Sequence, residues 1–600
     1  MNTQKQERII LGAIFIFILI LIGIIAAYFW PATIETEQDN IIIDSNSTDL
    51  QVVYDVQELD STWKEENVTK IQLQDDQSSV EGEGVSITNN VITITSQGNY
   101  YLTGTLSTGN IIINASDDAE VRLILAGVNI TSNSTAVING VNAKKVTITV
   151  QENTTNYLQD ASSYTVFSDT EKQEPDATIF TKTDLVINGT GMLQVTANYL
   201  DGIASKDGLK IIDTNINIKA NDDGIRGKDY VCLKEATVQI QAMADGIKST
   251  DTTGSDVGYM MIENSSISII AKQDGIQAES ILQIKESNLT ITTQGEEKIH
   301  TEQLPNGRGI NANTTTTSQD IASSKGIKAS NEITIESGII AIDASDDAIH
   351  SNGKIIIKGG TFKLASGDDG IHADTNIAIN GGNITISESY EGIESGYIEI
   401  TGGDISIHAS DDGINVAESS ESSSTDTIPG QNDFRAVGNS NQKLVIKGGL
   451  LSVTANGDGL DSNGSIEISG GEIIIAGPTS GANGILDYDN SLVITGGSLM
   501  GYGSSGMDSL TMNNATQYML SFQVSGNKGD KIILKDSNGK ECIQTVTTKE
   551  YSTVIISLPI LEKGKTYSLF VNEIEESSLT IENLVTGEAS DREIRGRGKF

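Results

Sequence analysis

An all-β fold, a right-handed parallel β-helix with rungs of about 22 residues, is expected of this chain for three reasons. First, one short phrase recurs. It reads LDGIA, DDGIR, ADGIK, QDGIQ, SKGIK, DDAIH, DDGIH, YEGIE, DDGIN, GDGLD, ANGIL and SSGMD, centred on positions 202, 224, 246, 275, 326, 348, 370, 392, 413, 459, 484 and 506. Second, the stretches between phrases alternate with period two: in 376–387 (NIAINGGNITIS), Ile377, Ile379, Ile384 and Ile386 fall on one face of two strands hinged at Gly-Gly. Third, Gly 60 against Pro 6, with only 5% aromatic residues, suits β-structure with many tight turns.

A unit of this kind leaves its backbone N–H and C=O groups open above and below, so it is stable only when stacked. Stacking at about 4.8 Å closes those edges and encloses a column of Ile side chains. Five inward aliphatic side chains per rung, at roughly 2 kcal/mol each, give on the order of 10 kcal/mol that a one-residue slip forfeits. Right-handedness follows from the rule for parallel crossovers. The Leu/Asn signature of a leucine-rich repeat is missing.

Residues 1–30 contain an apolar run, Ile9 to Trp30, preceded by Lys5 and Arg8 and followed by Glu35, Glu37 and Asp39. That reads as a transmembrane signal anchor with the bulk of the chain outside the cell, in preference to a cleaved signal peptide. Residues 31–82 are polar and read as a stalk. The β-helix is expected over 83–516, its first rungs lacking the acidic phrase, with solvated insertions at 294–322 and 417–440. A small β cap is expected at 517–586, followed by a disordered tail at 587–600. Cys232 and Cys542 fall in different units and read as buried free thiols.

Asp+Glu 81 against Lys+Arg 39 gives a net charge of −42, which excludes nucleic acid and anionic lipid surfaces as partners and makes cations the expected ones. If the rungs stack, the residue before each glycine forms a column: Asp201, Asp223, Asp245, Asp274, Lys325, Asp347, Asp369, Glu391, Asp412, Asp458. Adjacent carboxylates at rung spacing repel by roughly 1 kcal/mol in water and about 3 to 4 at an effective dielectric of 20. In the first half, Arg226, Lys248 and Lys328, two places after the glycine, offer counter-charge. In the second half that column becomes His350, His372, Glu394, Asn415 and Asp461, so the turn columns there supply no cationic side chain. A hard cation is the natural remedy: Ca2+ is expected at Asp346, Asp347, Asp368, Asp369, Glu391, Asp411 and Asp412, and more weakly at Asp458 and Asp461. His350 and His372 suit calcium poorly and are expected to stack or to donate to the carboxylates. A single Asp before glycine is ordinary turn chemistry; doubled Asp on successive rungs asks for more.

The runs GDDGIHADTNIAINGGNITISESYEGIES, ITGGDISIHASDDGINVA and GDGLDSNGSIEISGGEIIIAGPTS resemble the carbohydrate-binding β-helix family typified by a clostridial cellulose- and pectin-binding surface protein. The resemblance runs from about Val85 to Val585. It implies a β-helix similar to pectate lyases, bound calcium, and affinity for cellulose and acidic plant polysaccharides. The anchor and the two insertions depart from that core.

Three functions stay open on the residues. One is a non-catalytic surface binder whose protein-bound Ca2+ bridges to uronates of an acidic glycan, with His350, His372, Tyr390, Glu394 and Asn415 as ligand contacts. Another is a calcium-dependent polysaccharide lyase with Lys325 or Lys328 as base, although a salt bridge of Lys325 to stacked Asp274 or Asp347 is the preferred reading, and a lysine wedged between carboxylates keeps its proton. The third is a structural adhesin stapled by calcium.

Overall fold

The computed structural model describes residues 48–254, 256–295, 322–417, 442–479, 483–506 and 510–587. The expected membrane anchor, the tail and the bulk of the two insertions lie outside them. Among the described residues no helix is long and apolar enough to cross a membrane.

Each rung is three strands. Ile371–Ala373, Asn376–Ile379 and Asn383–Glu388 make one, and Ile393–Ser395, Tyr397–Ile400 and Asp404–Ala409 make the next. They pair in parallel with Ile371 opposite Ile393, Ile377 opposite Ile398 and Ile384 opposite Ile405, so like residues stack on like. The short phrase strands form a first ladder, and the strands before and after the hinge form a second and a third. Among the described residues these assemble into a 15-stranded and a 33-stranded sheet. Long parallel sheets of this kind fit a β-helix solenoid. Its core is the stacked aliphatic column: all six of these isoleucines are 1% exposed or less. The insertions enter without breaking register, since Ile276 pairs with Ile327 and Ile414 with Leu460.

The hinge between second and third ladders explains Gly-Gly. Gly360, Gly382 and Gly403 all have φ between 103° and 112°, in the left-handed region that a Cβ disfavours. In earlier rungs the same corner is turned by Asp213, Glu235 and Asn264 with φ of 43° to 54°. These short polar or flexible residues tolerate that conformation better than β-branched ones.

At the C-terminal end Ser498–Gly503 pairs antiparallel with Thr553–Ser557, which ends the parallel ladder. Beyond it a four-stranded antiparallel sheet (Lys531–Asp536, Glu541–Val546, Thr566–Val571, Ile574–Thr580) shares a separate apolar core with Met500, Tyr502 and Phe522. Both cysteines are free; Cys232 is buried as expected, whereas Cys542 is only half-buried.

The stalk is where structure and sequence part. Val68–Leu73 is a strand paired in parallel with Gly98–Leu106, so the solenoid begins before residue 83. Ahead of it, residues 48–63 lie as a strap over the outer face of the second ladder. Thr48 donates its N–H and hydroxyl to Glu332, both at 2.8 Å, and Leu50 N–H donates to Gln283 at 3.1 Å. Lys210 reaches the carbonyl of Val53 at 2.8 Å, and Arg122 those of Asp60 and Thr62 at 3.0 Å. Glu58, in the one-turn helix Val56–Leu59, is buried between Lys145 at 3.2 Å and Lys210 at 2.8 Å. The strap therefore runs back across successive rungs from Glu332 to Lys145. Its contacts are polar and long-range, and hydrophobic periodicity carries no trace of such contacts.

Candidate functional site

The acidic column is in register. The N–H of Gly370 donates to the carbonyl of Glu391 and that of Gly392 to Asp412, both at 3.0 Å, and Gly413 donates to Asp458 at 2.9 Å. The same bond runs from Gly202 to Asp223 and from Gly224 to Asp245 in the first half, both at 2.9 Å. A Cβ on Gly370 would stand 2.6 Å from the carbonyl oxygen of Gly392, so the close approach of the next rung favours glycine here, with Ala348 the small residue that replaces it in one rung.

The carboxylates have a second role that the sequence reading did not foresee. Oδ1 of most column aspartates accepts the backbone N–H of the column residue one rung on. Asp245 donates to Asp223 at 3.1 Å, Asp274 to Asp245 at 2.9 Å, Lys325 to Asp274 at 2.8 Å, Asp369 to Asp347 at 3.0 Å and Asp458 to Asp412 at 2.5 Å. Part of the repetition of Asp is thus explained by backbone satisfaction between rungs.

What distinguishes the two halves is the other oxygen. Oδ2 of Asp201 meets Arg226 at 2.6 Å, and Oδ2 of Asp245 and of Asp223 meet Lys248 at 2.8 and 3.3 Å. Lys328 stands 3.9 Å from Asp274. Lys325 extends this neutralised zone further than expected, lying 3.1 Å from Asp346 and 2.7 Å from Asp347. The salt bridge of Lys325 to Asp347 is the one its place in the column leads one to expect, and its further reach to Asp346 corrects the expectation that the doubled Asp at 346–347 has no cationic neighbour.

Histidines come next. His350 Nδ1 is 2.8 Å from Asp347 Oδ2 and His372 Nδ1 is 3.3 Å from Asp369 Oδ2. The rings meet edge to face, with centroids 4.9 Å apart and planes at 74°, so they do not stack in parallel; the carboxylates at their Nδ1 atoms set their orientation. Burial pulls His350 below its usual pKa, and it acts on His372 too, but there the Asp369 hydrogen bond and the charges of Asp347, Asp369 and Asp374 outweigh it and raise the value. Burial alone would raise Asp347; the His350 hydrogen bond and the charges of Lys325 and both histidines hold it well below the usual carboxylate range.

From Glu391 onward the pattern changes. Among the described residues no lysine or arginine pairs with Glu391, Glu394, Asp411, Asp412, Asp458 or Asp461. Burial and mutual repulsion push Glu391 up to about 9, Glu394 to about 10, Asp412 to about 7, Asp458 to about 6 and Asp461 to about 8. Burial matters on its own account, since Asp201 rises to about 7 beside Arg226. Asn415 donates to Glu391 at 2.8 Å while its own Oδ1, buried, has no hydrogen-bond partner. Glu391, Glu394, Asp411, Asp412 and Asp461 are half-buried, whereas Asp346, Asp347, Asp368, Asp369 and His350 are buried. Tyr390 borders this end: burial, and then its hydrogen bond to Asp411, raise its pKa.

By ligand chemistry these donors suit a hard cation, although the ligand atoms that converge within 4.8 Å among the described residues are those of Asp346, Asp347 and Asp368, of Asp347, His350 and His372, and of Asp369, His372 and Glu394. Ca2+ takes 6 to 8 oxygens, and Glu391, Glu394, Asp411, Asp412, Asn415, Asp458 and Asp461 supply oxygen only, with the orphaned Asn415 Oδ1 among them. Bound Ca2+ would supply positive charge to this cluster and open coordination positions to a ligand.

Of the expected site residues, the structure brings Asp347, Asp369, His350, His372, Glu391, Glu394, Asp412 and Asn415 onto one continuous strip, with Asp458 and Asp461 at its end. Lys325 and Lys328, the alternative bases, serve as counter-ions.

Comparison with known proteins places this strip in context. The family model described as carbohydrate-binding domain-containing protein matches residues 88–370 and 368–413. A carbohydrate-binding domain-containing protein of Acetivibrio thermocellus is 39% identical over 229 residues, covering 38% of this chain and 80% of that protein. A solved structure described as the polysaccharide lyase-like protein from C. thermocellum, in a gadolinium derivative, shares 33% identity over 38% of this chain and 92% of that chain, with a TM-score of 0.37. With the family model spanning the rungs that carry most of the acidic column, and the relative matched over most of its own length, the chain belongs to the carbohydrate-binding domain-containing family.

Proposed function

We propose that the chain is a non-catalytic binder of polysaccharide, displayed at the cell surface through residues 9–30, in which Ca2+ bridges protein carboxylates to uronates of an acidic glycan such as polygalacturonate. Family membership supports the carbohydrate class. The observation that carries the calcium bridge is the contrast along one column: each carboxylate of the first half has a cationic side chain or a neighbour's, and those from Glu391 on have none among the described residues. A chain of net charge −42 repels an anionic sugar unless a cation stands between them. The half-buried carboxylates at Glu391 to Asp461 leave such an ion reachable from solvent, while the ions expected at Asp346 and Asp347 give way to Lys325.

The test is retention of the full chain on immobilised polygalacturonate with calcium and then with chelator. Retention in calcium and release in chelator supports the bridge; retention that survives chelator sinks it. The lyase reading is disfavoured by Lys325, which is buried and held as a counter-ion by Asp346 and Asp347. Unsaturated product absorbing in the ultraviolet would revive it. Loss of stability alone on chelation would favour the structural adhesin.

A further inference from the structure

We propose that His372 Nε2 and Asp374 Oδ1 are the protein ligands of a second metal site, chemically distinct from the oxygen-only carboxylates, that takes a borderline first-row cation such as Zn2+ or Co2+. The two histidines occupy adjacent rungs in register. Each has its Nδ1 against the column aspartate three residues earlier, His350 on Asp347 at 2.8 Å and His372 on Asp369 at 3.3 Å. A carboxylate on one ring nitrogen fixes the neutral tautomer with its proton there and leaves the other nitrogen a lone pair, the arrangement in which imidazole binds metal.

The second nitrogen of His372 carries the argument further. Nε2 is buried and has no hydrogen-bond partner, and 3.6 Å away lies Asp374 Oδ1, equally buried and equally without a partner. That spacing is too long for a hydrogen bond between them. It is close to the spacing of about 3.4 Å expected for two ligands bound tetrahedrally at 2.0 to 2.2 Å from one metal ion. Both atoms are buried without a hydrogen bond, and a cation held between them would satisfy both. Asp347, His350 and His372 offer ligand atoms that all lie within 4.8 Å of one another, so the buried His350 adjoins the site from the preceding rung.

Hardness separates this site from the next rung's. Imidazole suits zinc, cobalt and their neighbours, whereas calcium selects oxygen, so one column would sort two kinds of cation by ligand type. The inference does not depend on calcium binding or on glycan.

The experiment titrates the metal-stripped full chain with Co2+, read by visible absorption, followed by competition with Zn2+ and with Ca2+. A single Co2+ band is expected that Zn2+ abolishes and a large excess of Ca2+ leaves in place. Affinity should fall about tenfold or more in His372→Ala and in Asp374→Asn. It should hold in His408→Ala, whose imidazole is exposed on the third ladder. X-ray absorption of the zinc-loaded unmodified chain, which avoids any folding defect of the variants, should show imidazole nitrogen on zinc. No Co2+ band, displacement by stoichiometric Ca2+, undiminished affinity in His372→Ala, or a zinc spectrum without imidazole would each overturn the proposal.

Discussion

Oδ1 of Asp347 accepts the backbone N–H of Asp369 at 3.0 Å, so the side chain of one rung satisfies the main chain of the next. The remaining oxygen is what varies along the solenoid, and its partner changes from arginine and lysine, through histidine, to other carboxylates and the Asn415 amide. One oxygen serves the backbone ladder and the other is left for side-chain contacts.

Substitution by asparagine separates those atoms, because Asn keeps the acceptor and loses the charge. Asp245→Asn leaves Lys248 short of one partner and should cost about 1 to 3 kcal/mol. Asp412→Asn in chelator should raise stability by about 1 kcal/mol through relief of repulsion, and should weaken Ca2+ binding. Thermal melts of the two variants in chelator check the opposite signs; equal destabilisation would show that position, and not charge, sets the effect.

Acidity should stabilise the metal-free chain. Glu391, Glu394, Asp412 and Asp461 have folded values raised to about 9, 10, 7 and 8, above the usual carboxylate range they regain on unfolding. A raised folded value means the folded state holds the proton more tightly. Its contribution is complete below the unfolded pKa and disappears as pH rises through the folded one. In chelator, Tm should therefore fall as pH rises from about 4 towards about 10 over the range of these groups. Ca2+ competes with those protons, so its affinity should rise with pH, and melts with and without Ca2+ should diverge most at the alkaline end.

Lys325→Gln tests the counter-ion. Removing the ammonium leaves Asp346 and Asp347, both buried, without it, and should cost about 3 to 5 kcal/mol in chelator. Added Ca2+ should restore more stability to the variant than to the unmodified chain, because Asp346, Asp347 and Asp368 already place ligand oxygens within 4.8 Å of one another. Differential scanning calorimetry across a calcium series checks both parts.

The strap should behave as part of the folded body. Glu58→Gln leaves Lys145 and Lys210 beneath it with less counter-charge, and a loss of about 3 to 5 kcal/mol is expected. Hydrogen exchange in 48–63 should accelerate in the variant while exchange in distant rungs such as 371–409 stays slow. Equal acceleration throughout would mean that the strap has no local role.

Much of the site was legible in the sequence because it repeats. Asp347, Asp369, Glu391 and Asp412 share a column since each precedes the same glycine, and counting alone places them there. The switch from Arg226 and Lys248 to His350, His372 and Glu394 two places on was equally visible. The partner of each oxygen was not. Stacking left Lys325 a choice between Asp274 and Asp347; that it reaches forward, and to Asp346 as well, depends on rotamer choice, which leaves no mark in spacing. Asp374 reads in the sequence only as further negative charge beside the column, and the burial of its Oδ1 beside His372 Nε2 is what singles it out.

By itself the sequence determined the rung, its register and the acidic column, because each follows from a one-dimensional period imposed by hydrogen bonding and alternation. Only the tertiary structure decided which carboxylates are neutralised from within, which lie in reach of solvent, and that residues 48–63 bind back across the second ladder. Those outcomes depend on burial and on contacts such as Thr48 with Glu332, where electrostatics acts between side chains that chain order keeps far apart.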